Sequence, residues 1–290
     1  MAAVRNIPTD AVHYLTRPGI GLAFIKLILN NGAKVLIPDL RLTCEAEQLI
    51  NSSAGKAAYM QCDVADWADL EAIPSHVEKA FGKNAVADIW IAGAGVFEPK
   101  WSSFLYDTEK DGYAAMRINA EHPIKLTRVA MRSLLSVDKP GVVLIISSGA
   151  GITGAYAAAL YCATKHAVVG FTKSMAQADA DENVKVVCIL PGMVSTPLWT
   201  GDAAKHVFDQ FQYSDDMCIT PEEVAVAMKQ MVEDGNFGGG ALMEVTKDRP
   251  RNRLDSKESV IDEAMGSEAM RAFQVRIPCS PAGVARMYGC

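Results

Sequence analysis

The sequence predicts an α/β protein built on a doubly wound parallel sheet. Short apolar runs alternate with longer segments in which apolar residues recur every three or four positions, the patterns of buried strands and amphipathic helices. The runs at residues 33–40 and 142–146 are rich in Val, Leu and Ile, as in strands that are buried on both faces. Strands that alternate with helices form a parallel sheet with helices on both sides.

The elements can be placed in order along the chain. The first strand and a glycine-containing loop fall within residues 11–21, and Gly32 ends the helix that follows. Thr220 and Pro221 are typical of the start of a late helix. Further strands are expected at 33–40, 59–64, 88–95, 142–146, before Pro191 and at 238–245, with helices at 22–31, 66–83, 112–135, 155–175 and from 220.

Length and composition exclude several classes of protein. The chain has 290 residues, half of them apolar, and a net charge of −6. It can bury one large core, and it lacks the basic surface that nucleic-acid binding needs. We expect no membrane partner, because no apolar run is long enough to span a bilayer. The seven cysteines and five histidines show neither disulfide nor metal-ligand spacing, so we expect a reduced, cytoplasmic protein without a metal.

The segment at 142–176 carries the residues with the clearest chemistry. Its apolar strand ends at Ser148, and the following helix carries Tyr161 and Lys165, which are four positions apart and so share one helix face. A nearby ammonium lowers the pKa of a tyrosine from its usual value of about 10. The set suits proton transfer to or from a carbinol oxygen. Tyr106 and Lys110 have the same spacing but no strand and serine upstream.

These residues resemble the short-chain dehydrogenase/reductase family, most of all its hydroxyprostaglandin dehydrogenase-like branch. In that family a serine stands thirteen positions before the tyrosine and a lysine four after it, as Ser148, Tyr161 and Lys165 do. Asn119 matches the asparagine of the preceding helix. The similarity covers roughly Val12 to Val245 and includes the Pro-Gly pair at 191–192.

The resemblance implies a Rossmann-type single domain over residues 1–247, a C-terminal extension over residues 248–290, and a homodimer or homotetramer. It also implies four catalytic roles. Tyr161 would be the acid/base, and Lys165 would lower its pKa and hold the cofactor ribose. Ser148 would orient the carbonyl oxygen, and Asn119 would support a proton relay. Pro191, Gly192, Val194 and Thr196 would meet the nicotinamide.

The expected dinucleotide loop departs from the family pattern. Gly19, Ile20 and Gly21 match its end, but Leu15 stands where the family has its first glycine, which makes the tight turn from strand to helix. Ala92 and Gly93 also replace two asparagines, although the small Gly93 keeps the backbone open to a cofactor. Two interpretations stay open: a variant loop that still binds dinucleotide, or a degraded site with weak or absent binding.

NAD is favoured over NADP by Asp39, at the end of the second predicted strand. A carboxylate there can bond both ribose hydroxyls and would repel a 2′-phosphate. Arg17, in the loop, counts against this preference because it could attract that phosphate. In the family, the segment of Asp63 and Val64 lies beside the adenine.

Two segments have open roles. Residues 198–218 correspond to the family's substrate lid, and their aromatic residues could line an apolar pocket or pack a short helix. These are Trp199, Phe208, Phe211 and Tyr213. The extension from residue 248 could cap the cleft, reach a partner subunit or be loosely ordered.

Three functions follow from these residues. The first is an oxidoreductase that interconverts a secondary alcohol and a ketone on a hydrophobic small molecule, for example in secondary metabolism, with NAD. The second is a non-redox isomerase or cyclase that uses Tyr161 and Ser148 with a degraded dinucleotide site. The third is a binding protein with an unused site, since fold alone does not define function.

Overall fold

A computed structural model describes residues 10–13, 19–97, 104–105, 110–196, 215–248 and 252–254. In this part of the chain, eight strands form one sheet in the order β3-β2-β1-β4-β5-β6-β7-β8. All neighbouring pairs are parallel except β7 and β8, which are antiparallel. The strands are β1 (Asp10–His13), β2 (Lys34–Asp39), β3 (Ala57–Gln61), β4 (Ile89–Ala92), β5 (Gly141–Ile146), β6 (Val184–Pro191), β7 (Leu242–Val245) and β8 (Asn252–Leu254).

The helices that the structure describes cover both faces of this sheet. They are α1 (Ile20–Asn30), α2 (Cys44–Ser52), α3 (Trp67–Phe81), α4, α5 (Ala159–Ser174), α6 (Gln177–Glu182) and α7 (Pro221–Glu233). Helix α4 consists of Ala114–Met116, a π-helical turn at Arg117–Glu121, and His122–Leu135. Among the described residues, no helix has the length and apolarity needed to cross a bilayer.

Two apolar cores lie on opposite faces of the sheet. Alternate residues of β5 point to opposite sides, so Val143 packs in one core and Leu144 in the other. The first core includes Leu70 of α3 and Leu126 of α4, and the second includes Phe24 of α1. Every residue of β6 is buried. This arrangement confirms the predicted doubly wound, Rossmann-type fold.

The chain reverses its direction of winding between β1 and β4. Strand β1 pairs with β2 on one side and with β4 on the other, and the chain builds the sheet outward in both directions from there. In open α/β sheets, ligands bind at this switch point, beyond the carboxyl ends of the strands. The fold therefore places a cleft at the ends of β1, β4 and β5.

Several elements differ from those predicted, among them the following three. The helix expected at 112–135 contains the π turn, which inserts an extra residue into the helix around Asn119. Strand β3 ends at Gln61, before Asp63, since the Asp63 side chain accepts a hydrogen bond from the Ala65 N–H at 2.9 Å and forms a turn. The segment expected to be a linker contains β8, which pairs with β7. The domain boundaries stay a prediction, because residues 255–290 lie outside the described residues.

Candidate active site

A cavity of about 410 Å³ lies at the carboxyl ends of the central strands. It brings together eleven of the predicted site residues, which come from the start of α1, the ends of β4, β5 and β6, helix α5 and the segment after β6. They are Gly19, Ile20, Gly21, Gly93, Ser148, Tyr161, Lys165, Pro191, Gly192, Val194 and Thr196. Asn119, Asp39, Asp63 and Val64 are not among its described lining residues.

Ser148 and Tyr161 form the polar centre of this cavity. Ser148 follows β5 and begins a short 3-10 turn at Gly149–Gly151, where its hydroxyl accepts a hydrogen bond from the Ala150 N–H at 3.2 Å. The Ser148 and Tyr161 side chains both line this cavity and lie close enough for Ser148 to influence the ionisation of the phenol. Burial raises the pKa of Tyr161 to about 12, and the neighbouring Ser148 side chain acts in the opposite direction. At neutral pH the Tyr161 hydroxyl is therefore a protonated donor.

Lys165 lies on the same face of α5 as Tyr161, and it is 4% exposed. Its ammonium donates a hydrogen bond to the Ile146 carbonyl at 3.0 Å and lies 5.6 Å from the centroid of the Tyr161 ring. Burial lowers the pKa of Lys165 to about 8, and Cys188 opposes this shift. Burial of the phenol sets the direction of the Tyr161 pKa shift in this structure, and the expected lowering of that pKa by Lys165 stays a prediction.

Asn119 is buried in the π turn of α4 and holds the chain that follows β4. Its Oδ1 accepts a hydrogen bond from the Val96 N–H at 2.8 Å, and its Nδ2 donates to the Val96 carbonyl at 3.0 Å. Nδ2 also lies 3.3 Å from the Thr164 hydroxyl on α5. The side-chain amide thus joins α4, α5 and the β4 loop. Its role in a proton relay stays a prediction.

The nucleotide end of the cavity is shaped for close approach of a ligand to the backbone. Gly19 has φ +154°, and a Cβ placed there would lie 3.0 Å from Cγ2 of Thr196. Helix α1 begins at the next residue and directs its N-terminal N–H groups toward this loop, as in anion-binding sites. The described residues therefore fit a pyrophosphate. Tyr14, Leu15 and Arg17 lie outside the described residues.

Carboxylates gather at the ends of β2 and β3. Asp39 is buried there, and its Oδ1 accepts a hydrogen bond from the Arg41 N–H at 3.3 Å. Burial raises the pKa of the neighbouring Cys62 thiol to about 12, and four carboxylates add to that rise. They belong to Asp69, Asp63, Asp39 and Asp66. Asp63 is exposed and Val64 is buried, so Val64 serves the core here.

Two residues of the cavity wall and one buried histidine near Lys165 were not predicted. Phe97 lines the cavity and packs on Tyr161. Ser147 is buried, and its hydroxyl donates to the Lys165 carbonyl at 3.1 Å. Burial lowers the pKa of His122 to about 4, and Lys165 adds to that shift. Residue spacing does not indicate that Ser147 and His122 are buried.

Several known proteins are similar to this chain over more than half of its length. A sequence model of the family described as short chain dehydrogenase matches residues 16–206. Human 15-hydroxyprostaglandin dehydrogenase [NAD(+)] is 30% identical over 245 residues, which are 79% of this chain and 87% of the relative. The 2,5-dichloro-2,5-cyclohexadiene-1,4-diol dehydrogenase of Sphingobium indicum is 29% identical over 182 residues, 62% of this chain and 70% of the relative.

Solved structures show the same fold. The structure described as ElxO with NADP bound superposes with a TM-score of 0.66 at 24% identity, and the match covers 82% of this chain and 96% of that one. The chain belongs to the short-chain dehydrogenase family, in the branch that resembles hydroxyprostaglandin dehydrogenase. It is accordingly an oxidoreductase that depends on a nicotinamide cofactor. The comparisons give no support to a non-redox isomerase or cyclase.

Proposed function

We propose that this chain interconverts a secondary alcohol and a ketone on a hydrophobic small molecule, with NAD(H) as the cofactor. The observation that carries the proposal is that Ser148, Tyr161 and Lys165 line one cavity at the switch point of the sheet. The glycine-lined end of that cavity leaves room for a dinucleotide.

Each catalytic side chain has a role that its position supports. The nicotinamide, when bound, supplies or accepts the hydride. In ketone reduction, the Tyr161 hydroxyl gives its proton to the carbonyl oxygen, while the Ser148 hydroxyl holds that oxygen by a hydrogen bond. A Tyr161 pKa of about 12 keeps the hydroxyl protonated at neutral pH, as the role of proton donor requires. Oxidation needs the reverse transfer, in which the alcohol gives its proton to a Tyr161 phenolate. The Lys165 ammonium would stabilise that phenolate.

A hydrophobic substrate is supported by the composition of the cavity wall. Its described lining residues include Val96, Phe97, Ala155 and Ala158, and Lys165 is the single charged residue among them. Two relatives are named as dehydrogenases of a hydroxyprostaglandin and of a cyclohexadiene diol, which supports a hydroxyl-bearing substrate. The predicted lid residues Trp199, Phe208, Phe211 and Tyr213 lie outside the described residues.

The choice of NAD over NADP is supported by the carboxylates at the ends of β2 and β3. Asp39 is the last residue of β2, the strand next to β1, where a ribose hydroxyl would meet it. The acidic surroundings of Cys62 would repel a 2′-phosphate as well. The relatives differ, since one is named for NAD(+) and the structural neighbour holds NADP. A homodimer or homotetramer in the cytoplasm remains part of the proposal.

Titration with NADH and NADPH, followed by the fluorescence of the reduced nicotinamide, tests this proposal. We expect NADH to bind more tightly than NADPH. Asp39→Asn should reduce the ratio of the NADPH to the NADH dissociation constant by about tenfold, which corresponds to about 1.4 kcal/mol. Asp138→Asn, in a loop remote from the cleft, is the matched control. Failure of both dinucleotides to bind at millimolar concentration would overturn the redox function. A preference for NADPH would overturn only the choice of cofactor.

A further inference from the structure

Phe97 forms an apolar wall of the cavity beside Tyr161. The two ring centroids lie 4.7 Å apart with an interplanar angle of 63°, an edge-to-face contact of the kind that aromatic pairs prefer. Phe97 is 9% exposed and packs in a small cluster with Ala155, Ala158 and Tyr161. All four residues line the cavity. The surface next to the phenol is therefore a rigid aromatic ring backed by alanines.

The residue before Phe97 has its backbone fixed. Both the N–H and the carbonyl of Val96 are hydrogen-bonded to the Asn119 side chain, at 2.8 and 3.0 Å. Asn119 is itself 1% exposed, and a buried amide that loses its partners carries a desolvation cost. The backbone that enters Phe97 cannot shift without breaking these two bonds. Phe97 is thus a fixed boundary of the cavity.

A reacting carbonyl must come close to this boundary. Its oxygen has to lie within about 3 Å of the Tyr161 hydroxyl for proton transfer, and the Tyr161 ring is in contact with the Phe97 ring. One substituent of the carbonyl carbon is then directed along the Phe97 wall. Extra carbons in a closed apolar wall force side chains out of their preferred rotamers, so a larger substituent on that side would be rejected.

We propose that Phe97 determines specificity by limiting one substituent of the reacting carbon to a small group. This inference rests on the proposed oxidoreductase function and adds the substrate class: secondary alcohols, or their ketones, with one small and one large substituent. The large substituent extends away from Phe97.

The test uses a series of phenyl ketones whose second substituent grows from methyl to ethyl, propyl and butyl. The wild-type protein is compared with Phe97→Leu and Phe97→Ala. Tyr156→Ala is the matched control, because Tyr156 is 78% exposed and is not a described lining residue. NADH binding by fluorescence and thermal unfolding are measured on every protein, so that loss of folding or of cofactor binding is seen directly.

We expect kcat/KM of the wild type to fall at least about tenfold between the methyl and butyl ketones, as added methylenes do in closed pockets. Phe97→Ala should remove most of this decrease in kcat/KM, and Phe97→Leu should remove part of it. Tyr156→Ala should leave the decrease unchanged. If Phe97→Ala fails to fold, Phe97→Leu decides the question.

Two results would overturn this inference and leave the proposed function standing. One is a variant that binds NADH and keeps the wild-type size profile. The other is a wild-type protein that binds NADH but reduces none of the series, or reduces all four equally. If the wild type binds no dinucleotide, the proposed function fails, and this inference fails with it.

Discussion

Asn119 pairs with the backbone of Val96 as a neighbouring strand would, accepting from its N–H at 2.8 Å and donating to its carbonyl at 3.0 Å. The π turn of α4 brings the amide to this position, and such turns occur often at functional sites. Through Val96 the amide positions Phe97, and through Thr164 it reaches the helix of Tyr161 and Lys165. The Asn119 side chain therefore contacts both the backbone next to Phe97 and the helix that carries Tyr161.

Replacement of Asn119 by alanine should destabilise the protein and lower its activity. The Val96 N–H and carbonyl would lose their partners, which we expect to cost about 1–3 kcal/mol of unfolding free energy. Urea unfolding measures this cost, and ketone reduction measures the loss of activity. Thr164→Val removes only the 3.3 Å contact to the amide and the Thr164 bond to the Tyr161 carbonyl. It should cost less, and equal losses would contradict the role assigned to Asn119.

Gly19→Ala should weaken dinucleotide binding. The glycine has φ +154°, which side chains rarely adopt, and the added Cβ would lie 3.0 Å from the Thr196 methyl carbon. Either the loop or Thr196 must move, and both line the expected pyrophosphate and nicotinamide ends of the cavity. Fluorescence titration with NADH should show a dissociation constant at least about tenfold higher.

The matched control for that substitution is Gly154→Ala. An added Cβ there meets nothing within 4 Å, so NADH affinity should stay at the wild-type value. If Gly19→Ala also binds NADH as the wild type does, then the loop at Gly19 is not a dinucleotide cradle.

Lys165→Met should change how stability depends on pH. Burial lowers the Lys165 pKa to about 8 from its ordinary 10.5. Below pH 8 the folded protein carries the cost of a buried ammonium. Between pH 8 and 10.5 the folded state releases its proton while the unfolded state keeps it, so the wild type gains stability as pH rises.

The variant lacks this gain, because methionine does not titrate. The difference in unfolding free energy, wild type minus variant, should therefore increase between pH 7 and pH 10. Urea unfolding at several pH values measures that difference. Two parallel curves would show that Lys165 does not titrate in this window.

The fold could be predicted because the strand segments of the sequence are rich in apolar residues. The run at 142–146 is apolar throughout, as expected of a strand that is buried on both faces. The structure buries it except for Ile146, which is half-buried. The spacing of Ser148, Tyr161 and Lys165 also placed these side chains at one cavity, since a strand end and one helix face are local features. Their catalytic roles remain to be tested.

Other features of the site could not be predicted because they depend on distant contacts. The π turn at Asn119 follows from its bonds to Val96, 23 positions away. The high pKa of Tyr161 follows from burial, which residue spacing does not report. Strand β8 forms in a charged segment because β7 offers it an open edge. The low apolar content of that segment therefore did not indicate a strand.

The central claim is that the Tyr161 hydroxyl transfers the proton. Tyr161→Phe removes that hydroxyl and leaves the ring that packs on Phe97, and Tyr156→Phe is a control at an exposed tyrosine. The measurement is kcat/KM for ketone reduction, together with NADH affinity by fluorescence. We predict unchanged NADH affinity in all proteins and a loss of at least about 100-fold in kcat/KM for Tyr161→Phe alone. A Tyr161→Phe protein that binds NADH and reduces ketones at the wild-type rate would contradict the account.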